Sequence, residues 1–394
     1  MPSFLHGVAV AEINQGIKKV KTSSSSVIGV IGTAPEATED FPLNTPVLIA
    51  GSYTEAAKLG ATGTLPTALE GILAQTGAMV VVVRIAEGVA SGEGNDAITA
   101  AEATINNVIG SVSADGTYSG VYSFLASKSI LGVTPRILCA PGFSVKEVIT
   151  ELNIIANRLR AIVVADCPAS ETNENLIRFV SDCASQRIYA VYPQVLNTKN
   201  EAVSASPYVA GVIARTDNDD GFWVSPSNKA INGIIGLSKP IDFALGDASC
   251  RANYLNEQNI TTIINQNGYK LWGNRSTAGT GSYQFLCVRR TADVISDSIL
   301  QSHLWAVDRN VVKNYLTDVT ESVNAFLAAL KSQGAILAGK CVANRELNTA
   351  ANITEGKVYF DFEFTPAYPA EQVTFRAYLS EDNIESILLE NLAS

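Results

Sequence analysis

Residues 221–276 read GFWVSPSNKAINGIIGLSKPIDFALGDASCRANYLNEQNITTIINQNGYKLWGNRS. Two polar, glycine-punctuated segments flank a short helical one, ASCRANYLNEQN. The flanking segments carry Trp223 and Trp272, each within two residues of a Gly and close to Ser, Asn, Lys or Arg. A large aromatic in a loop-like setting pins the loop to a core or stands at an interface. A small-molecule site is the second reading. The stretch also divides two patterns of sequence.

Upstream, from Val27 to about Asp220, strand-like and helix-like runs alternate. SVIGVIGTA and TPVLIAG read as strands, TEAAKLG and TALEGILAQTG as helices, and AMVVVVRIA as a buried strand. Residues 91–120 are polar and read as a surface excursion. In SVKEVITELNIIANRLR, the residues Val145, Val148, Ile149, Leu152, Ile155 and Leu159 share one helical face. AIVVADCP, NENLIRFVSDCAS and RIYAVYPQV continue the alternation. Near-continuous apolar strands separated by helices predict an α/β domain with a mostly parallel sheet covered by helices.

Downstream of Gly246 the character is α+β. NYLTDVTESVNAFLAALKSQG is an amphipathic helix with Leu316, Val319, Val323, Phe326, Leu327 and Leu330 on one face and Gly334 as its stop. KVYFDFEF and QVTFRAYLS both alternate with period two, which predicts half-buried antiparallel strands. Residues 1–22 do not read as part of a compact domain. A short strand pattern (Val8, Val10) leads to Lys18, Lys19 and Lys21, and Ser23–Ser26 then reads as a flexible joint. The expected division is an arm at 1–22, an outer α/β domain at 23–245, an inner α+β domain at 246–379 and a second arm at 380–394.

At 394 residues the chain exceeds the size at which one core keeps growing. Its charged share, 17%, is below the ~25% usual for soluble domains, as expected if much surface is buried in an assembly. A net charge of −10 argues against a nucleic-acid coat. No apolar run reaches the ~18 residues of a membrane span, and nothing resembles a secretory signal. Cys139, Cys167, Cys183, Cys250, Cys287 and Cys341 are widely spaced, so buried free thiols are expected rather than zinc ligands or disulfides.

Signals for catalysis are poor. Only His6 and His303 could serve a nucleophile triad, and no nucleophile elbow accompanies them. Gly29 and Gly32 in SVIGVIGTA do not have dinucleotide spacing, and no phosphate-loop Gly-Lys-Ser/Thr follows. Asp217, Asp219 and Asp220 in DNDDG lack the glutamate that a calcium loop needs, since Asn228 stands at the twelfth position, and read as a solvated turn. No catalytic residue, cofactor or metal is expected. The alternative is a soluble α/β nucleotide-dependent enzyme with its ligand near Gly32, Gly142 or Asp166.

GFWVSPSNKAINGIIGLSKPI and LNEQNITTIINQNGYKLWGNR resemble the sheath protein of contractile phage tails and R-type pyocins. The opening FLHGVAVAEINQG and SHLWAVDRNVVKNYLTDVTESVNAFLAALKSQGAI resemble the same family. The resemblance implies a non-enzymatic subunit of a helical tube of sixfold rings around an inner tail tube. The tube shortens to drive its contents through a bacterial envelope. Implied partners are further copies of the chain, the inner tube protein, and baseplate and terminator proteins, with no nucleic acid and no membrane insertion. The implied setting is the host cytoplasm during assembly, then a virion tail or a released particle. A related secretion-system sheath is the nearest variant of this reading. The resemblance also implies arms that exchange strands between subunits. The residues assigned to that contact are Val8, Val10, Ile17, Lys18 and Lys19 at one end. At the other they are Val373, Phe375, Leu379, Glu381, Asp382 and Glu385. The helix Val319–Gln333 is the candidate tube-facing element, with Asp318, Glu321, Ser322, Ala325 and Lys331 as its contacts.

Overall fold

A computed structural model describes residues 19–92, 98–169 and 172–381. In chain order the first elements are β1 (Ile28–Thr33), β2 (Pro46–Ala50), α1 (Tyr53–Ala57), α2 (Leu65–Leu73) and β3 (Met79–Ile85). Then come α3 (Ala100–Ile109), α4 (Ser127–Leu131), β4 (Ile137–Cys139), α5 (Lys146–Leu159), β5 (Ile162–Asp166), α6 (Asn173–Asp182) and β6 (Ile188–Val191). Next are β7 (Val195–Asn197), β8 (Ala202–Val203), α7 (Ser206–Asp219), β9 (Ile234–Leu237), α8 (Arg251–Glu257), β10 (Ile260–Asn265) and β11 (Tyr269–Trp272). The chain continues through α9 (Leu286–Ser302), α10 (Lys313–Ser332), β12 (Ile336–Ala343), α11 (Ala350–Thr354) and β13 (Phe360–Pro366).

Eight strands form one sheet in the order β11-β10-β6-β5-β4-β1-β3-β2. Its inner pairs are parallel, and β2 and β11 are antiparallel edges. Successive strand residues point to opposite faces, so the Val run of β3 feeds two cores. Val80 and Val82 join Ile28, Val30, Leu69, Ile72, Val209 and Ile213 under α2 and α7. Val81 and Val83 join Ile31, Leu138, Ile149 and Leu152 under α5. The mostly parallel, helix-covered sheet expected from the sequence is therefore present. A separate core lies between α9, α10 and β12, built from Val294, Ile295, Val323, Phe326, Leu327 and Ile336.

Five expectations are corrected. The polar excursion at 91–120 contains α3, whose start is fixed by a reciprocal Thr99–Glu102 capping box. GYKLWGNR is not a loop throughout, because Tyr269–Trp272 is the strand β11. The sheet runs past Gly246, since β10 pairs with β6. QVTFRAYLS forms no strand, although KVYFDFEF does as β13. Its residues Phe375 and Leu379 are 92% and 95% exposed, so period two there is a face without a neighbour. Ser23–Ser26, expected to be a flexible joint, is fastened along α9.

Both tryptophans of the opening stretch pin segments to cores. Trp223 packs on the α9–α10 core, edge-on to Phe222 at 4.9 Å. Trp272 meets Phe243 edge-on at 4.9 Å. SPSNK and LWGNR also meet each other. Asn228 N–H donates to Leu271 O (2.6 Å), Leu271 N–H to Lys229 O (3.0 Å) and Ile231 N–H to Tyr269 O (2.9 Å). The first segment thus covers the open edge of β11, which would otherwise present unpaired backbone groups.

Candidate assembly surface

Where the N-terminal segment enters the fold, it runs antiparallel to α9. Ser25 O accepts from Arg290 Nη2 (3.0 Å). Ser23 N–H donates to Ser298 Oγ (2.9 Å), and Lys21 N–H donates to Ser302 Oγ (3.0 Å). Val20 packs on the α9–α10 core. Short hydroxyl side chains on one helical stripe therefore serve as acceptors for a strand that has no sheet to join at this point.

Alongside the arm, α9 also carries charge into the interior. Asp217 at the end of α7 pairs with Arg290 (2.5 Å), with side chains 2% and 5% exposed, and accepts from Ser25 Oγ (2.6 Å). The DNDDG turn is therefore not wholly solvated as expected, because its first carboxylate is buried. Asp293 receives Arg187 (2.6 and 2.9 Å) and Arg289 (2.9 Å). Asp297 receives Arg136, which precedes β4, and Arg160, which follows α5 (3.0 Å). Burial lowers the pKa of the Arg136 guanidinium against the pull of Asp297. Breaking a buried pair leaves an uncompensated charge, so this cluster locks α9 and the arm root to the large sheet.

The C-terminal region ends in a ribbon. β12 and β13 pair antiparallel from Ala343↔Phe360 to Ile336↔Pro366, and among the described residues with nothing else. Only Ile336 and Cys341 of β12 are buried. Two strands alone are marginal in water; Asn324 of α10 closes the outer edge of β12 at Cys341, accepting from its N–H (2.7 Å) and donating to its O (2.9 Å), but no further strand flanks either edge among the described residues. After β13 the chain is held at Ala367, at Tyr368, whose ring lies edge-on to Phe285 at 6.2 Å, and at Glu371. Ala367 N–H donates to Ala335 O (3.3 Å), and Arg275 grips Glu371 in a bidentate pair (2.8 and 2.6 Å). Beyond this the segment 373–379 has the apolar alternation of a strand without a ladder.

The sequence candidates fall out as follows. Lys19, Val373, Phe375, Leu379 and Glu381 are exposed. Val8, Val10, Ile17, Lys18, Asp382 and Glu385 lie outside the described residues, as does His6. On α10, Asp318, Glu321, Ala325 and Lys331 are exposed, but Ser322 is 1% exposed, so it is no surface contact. The helical period places Ser322 beside Val319 and Val323 on the core face. Sequence reasoning missed the α9 residues that hold the arm root. Their signal was present as Arg289/Asp293/Asp297 and Val294/Ser298/Ser302, charge and hydroxyl at helical i,i+4 spacing on an otherwise apolar helix.

At the strand ends proposed for a nucleotide, the groups that would bind it are already paired with neighbouring protein groups. A side chain at Gly32 would collide with Thr64, whose hydroxyl accepts from Thr33 N–H (3.1 Å). Gly142 N–H donates to Ser204 Oγ (3.0 Å). Asp166, its carboxyl pKa raised by burial, caps α7 through Ser206 N–H (2.8 Å) and Ser206 Oγ (2.5 Å). His303 closes α9, with Nδ1 2.7 Å from Ile299 O and its ring 6.1 Å from Trp305. It is a packed residue. Among the described residues no helix is long and apolar enough to cross a membrane.

Comparison with known proteins gives one consistent result. Residues 116–277 match the phage tail sheath protein central domain, and 280–380 match the phage tail sheath C-terminal domain. Residues 25–85 match the domain III N-terminal region of the tail sheath protein Gp18. A prophage major tail sheath protein of Pseudomonas aeruginosa is 38% identical over 393 residues, covering 98% of this chain and 99% of its own. The tail sheath protein of Escherichia phage P2 is 31% identical over 394 residues, covering 98% of each chain. Among solved structures, the contracted sheath of the extracellular contractile injection system PVC has a TM-score of 0.71. It is 17% identical and covers 97% of this chain and 99% of its own. The contracted helical sheath of the anti-feeding prophage has a TM-score of 0.68 at 18% identity, covering 96% and 100%.

Proposed function

The chain belongs to the phage tail sheath family and is the tail sheath protein of a contractile injection system, and from this we propose how its parts do that work. Copies of the chain stack as sixfold rings around an inner tail tube, in the host cytoplasm, and leave it as a virion tail or a released particle. A chain in the baseplate structure of the anti-feeding prophage also shares this fold, which is in keeping with a baseplate partner; contraction is triggered from there. The large sheet with its helices is the outer body. The α9–α10 core, the ribbon and the arms are the inner one, so the division falls after β11 rather than at Gly246.

The observation that carries this reading is the β12–β13 ribbon. Among the described residues it has no partner strand on either edge, while Val373–Leu379 carries a seven-residue strand pattern that pairs with no described strand. Strands lent by neighbouring subunits would complete the ribbon on both sides. The lent strands are Val373 onward and the Gly7–Lys21 arm, less its root at Val20 and Lys21, which the subunit's own α9 holds; their opposite charges, Lys18 and Lys19 against Glu381, Asp382 and Glu385, steer them together. Backbone ladders hold through rotation of the bodies they join. The sheath can therefore rearrange without coming apart, driven by surface buried between subunits in the shorter form and not by a nucleotide. The exposed face of α10, with Asp318, Glu321, Ala325 and Lys331, is turned to the inner tube.

Deleting residues 1–18 tests the arms. The truncated chain should remain a folded monomer that forms no tubes in negative-stain electron microscopy, whereas the full chain gives hollow ribbed tubes or stacked rings. Normal tubes from the truncation would refute strand exchange by the N-terminal arm.

A further inference from the structure

A cavity of about 10 Å³ lies between the arm root and the buried charges of α9. It has room for one particle about the size of a water molecule. Ser23 lines it from the arm and Arg290 from α9. Arg136 and Arg160 line it from the side of the large sheet, and the carboxylates of Asp293 and Asp297 complete it. The Ser23 N–H donates to Ser298 Oγ (2.9 Å). The Ser23 hydroxyl oxygen, in contrast, is buried and has no hydrogen-bond partner among the described residues. A buried hydroxyl costs free energy unless something bonds it.

Charge indicates what that partner is. Five guanidiniums, of Arg136, Arg160, Arg187, Arg289 and Arg290, share three carboxylates, of Asp217, Asp293 and Asp297. The cluster therefore holds two more positive charges than negative ones. Both lining carboxylates are already engaged, Asp293 by Arg187 and Arg289 and Asp297 by Arg136 and Arg160. Arg160 donates to its carboxylate through Nη1 alone, so it has N–H groups left for a further acceptor. Burial lowers the Arg136 pKa, and the guanidiniums of Arg160 and Arg187 lower it further, against the pull of Asp297 and Asp293.

We propose that this cavity binds a chloride ion, held by the Ser23 O–H and by N–H groups of Arg136 and Arg160. Phosphate and sulfate are too large for it. Water would satisfy the hydroxyl but leave the excess charge uncompensated, whereas a small monovalent anion answers both. The ion joins the arm root to two arginines beside the large sheet, so the grip on the arm root depends on chloride. This site is complete within one subunit and does not require residues 1–18 to be lent to a neighbour.

Thermal melting of the full chain tests it, with sodium gluconate replaced stepwise by sodium chloride at constant ionic strength. Gluconate is too large for the cavity. Chloride should raise the melting temperature by about 2 °C along a curve that saturates by about 0.1 M. Ser23→Ala and Arg160→Gln, each measured against its own gluconate baseline, should lose most of that increment even if they melt lower overall. A melting temperature that ignores chloride would overturn the site, since water would then be the occupant. A response that rises without saturating, or that either variant keeps in full, would also overturn it, because the ion would then act elsewhere.

Discussion

Phe375→Ala separates the stability of the subunit from the stability of the sheath. The side chain is 92% exposed, so its removal deletes no packing from the free subunit, and the melting temperature should move by about 1 °C or less. In the proposed strand exchange it would face the same way as Val373 and Leu379 on a strand lent to a neighbour. Burying a phenylalanine contributes about 1.5–3 kcal/mol. At 1.4 kcal/mol per factor of ten, the critical concentration for polymerisation should rise about 10- to 100-fold. Pelleting tubes by ultracentrifugation across a concentration series measures it. Thr374→Ala, on the opposite face of the same segment, is the control and should shift it less than about threefold. Parent-like polymerisation by Phe375→Ala would show that this residue is not seated in a neighbour. A lowered melting temperature in the monomer would show that it packs at home.

Other perturbations address the interior. Asp293→Asn strands Arg187, whose side chain is 8% exposed. It should cost about 3–5 kcal/mol, or roughly 4–6 °C for a chain of this length by differential scanning calorimetry. A loss below about 1 °C would show that the cluster does not lock α9. Arg275→Gln removes a pair whose side chains are 34% and 41% exposed. It should cost less than about 1 kcal/mol yet speed hydrogen exchange at residues 368–372, as should about 0.5 M salt. Burial pushes the Cys183 and Cys287 thiols up to about 11. A raised thiol pKa leaves the group neutral in both states below about 9. As pH climbs from there toward 11 the unfolded chain ionises first, so stability should fall across that window. At pH 8 native protein should resist alkylation that denatured protein undergoes, and rapid native labelling would contradict the burial.

Where local chemistry decides the structure, the sequence was legible. The uninterrupted MVVVVRI of β3 can satisfy both faces only between two layers of helices, and α5 carries its core stripe at helical spacing. Where structure depends on a distant partner, it was not. β11 looks like a loop until β10 and the SPSNK segment flank it. α3 is polar because most of it faces solvent, so its capping box was the better signal. Ser23–Ser26 has the composition of a linker, yet its backbone is held by α9 residues some 265 to 275 positions away. Val373–Leu379 shows the opposite failure. Its alternation predicted a strand, but no ladder for it is supplied among the described residues. Of the candidate assembly surface, the charged ends could be proposed from sequence, whereas the track along α9 required the fold.

The antiparallel course of the arm along α9 also sets how it bears a load. A pull on the arm toward the far end of α9 lies nearly along the line of its anchors. The contacts at residues 21, 23 and 25 are then stressed together, in shear, and not opened one after another as in peeling. The last of them, Arg290, is bound through Asp217 to α7 and thereby to the large sheet. Force arriving through a neighbour's grip on the arm would reach the body of the subunit along the helix, as tension in a cable spliced over its length and not tied at one knot.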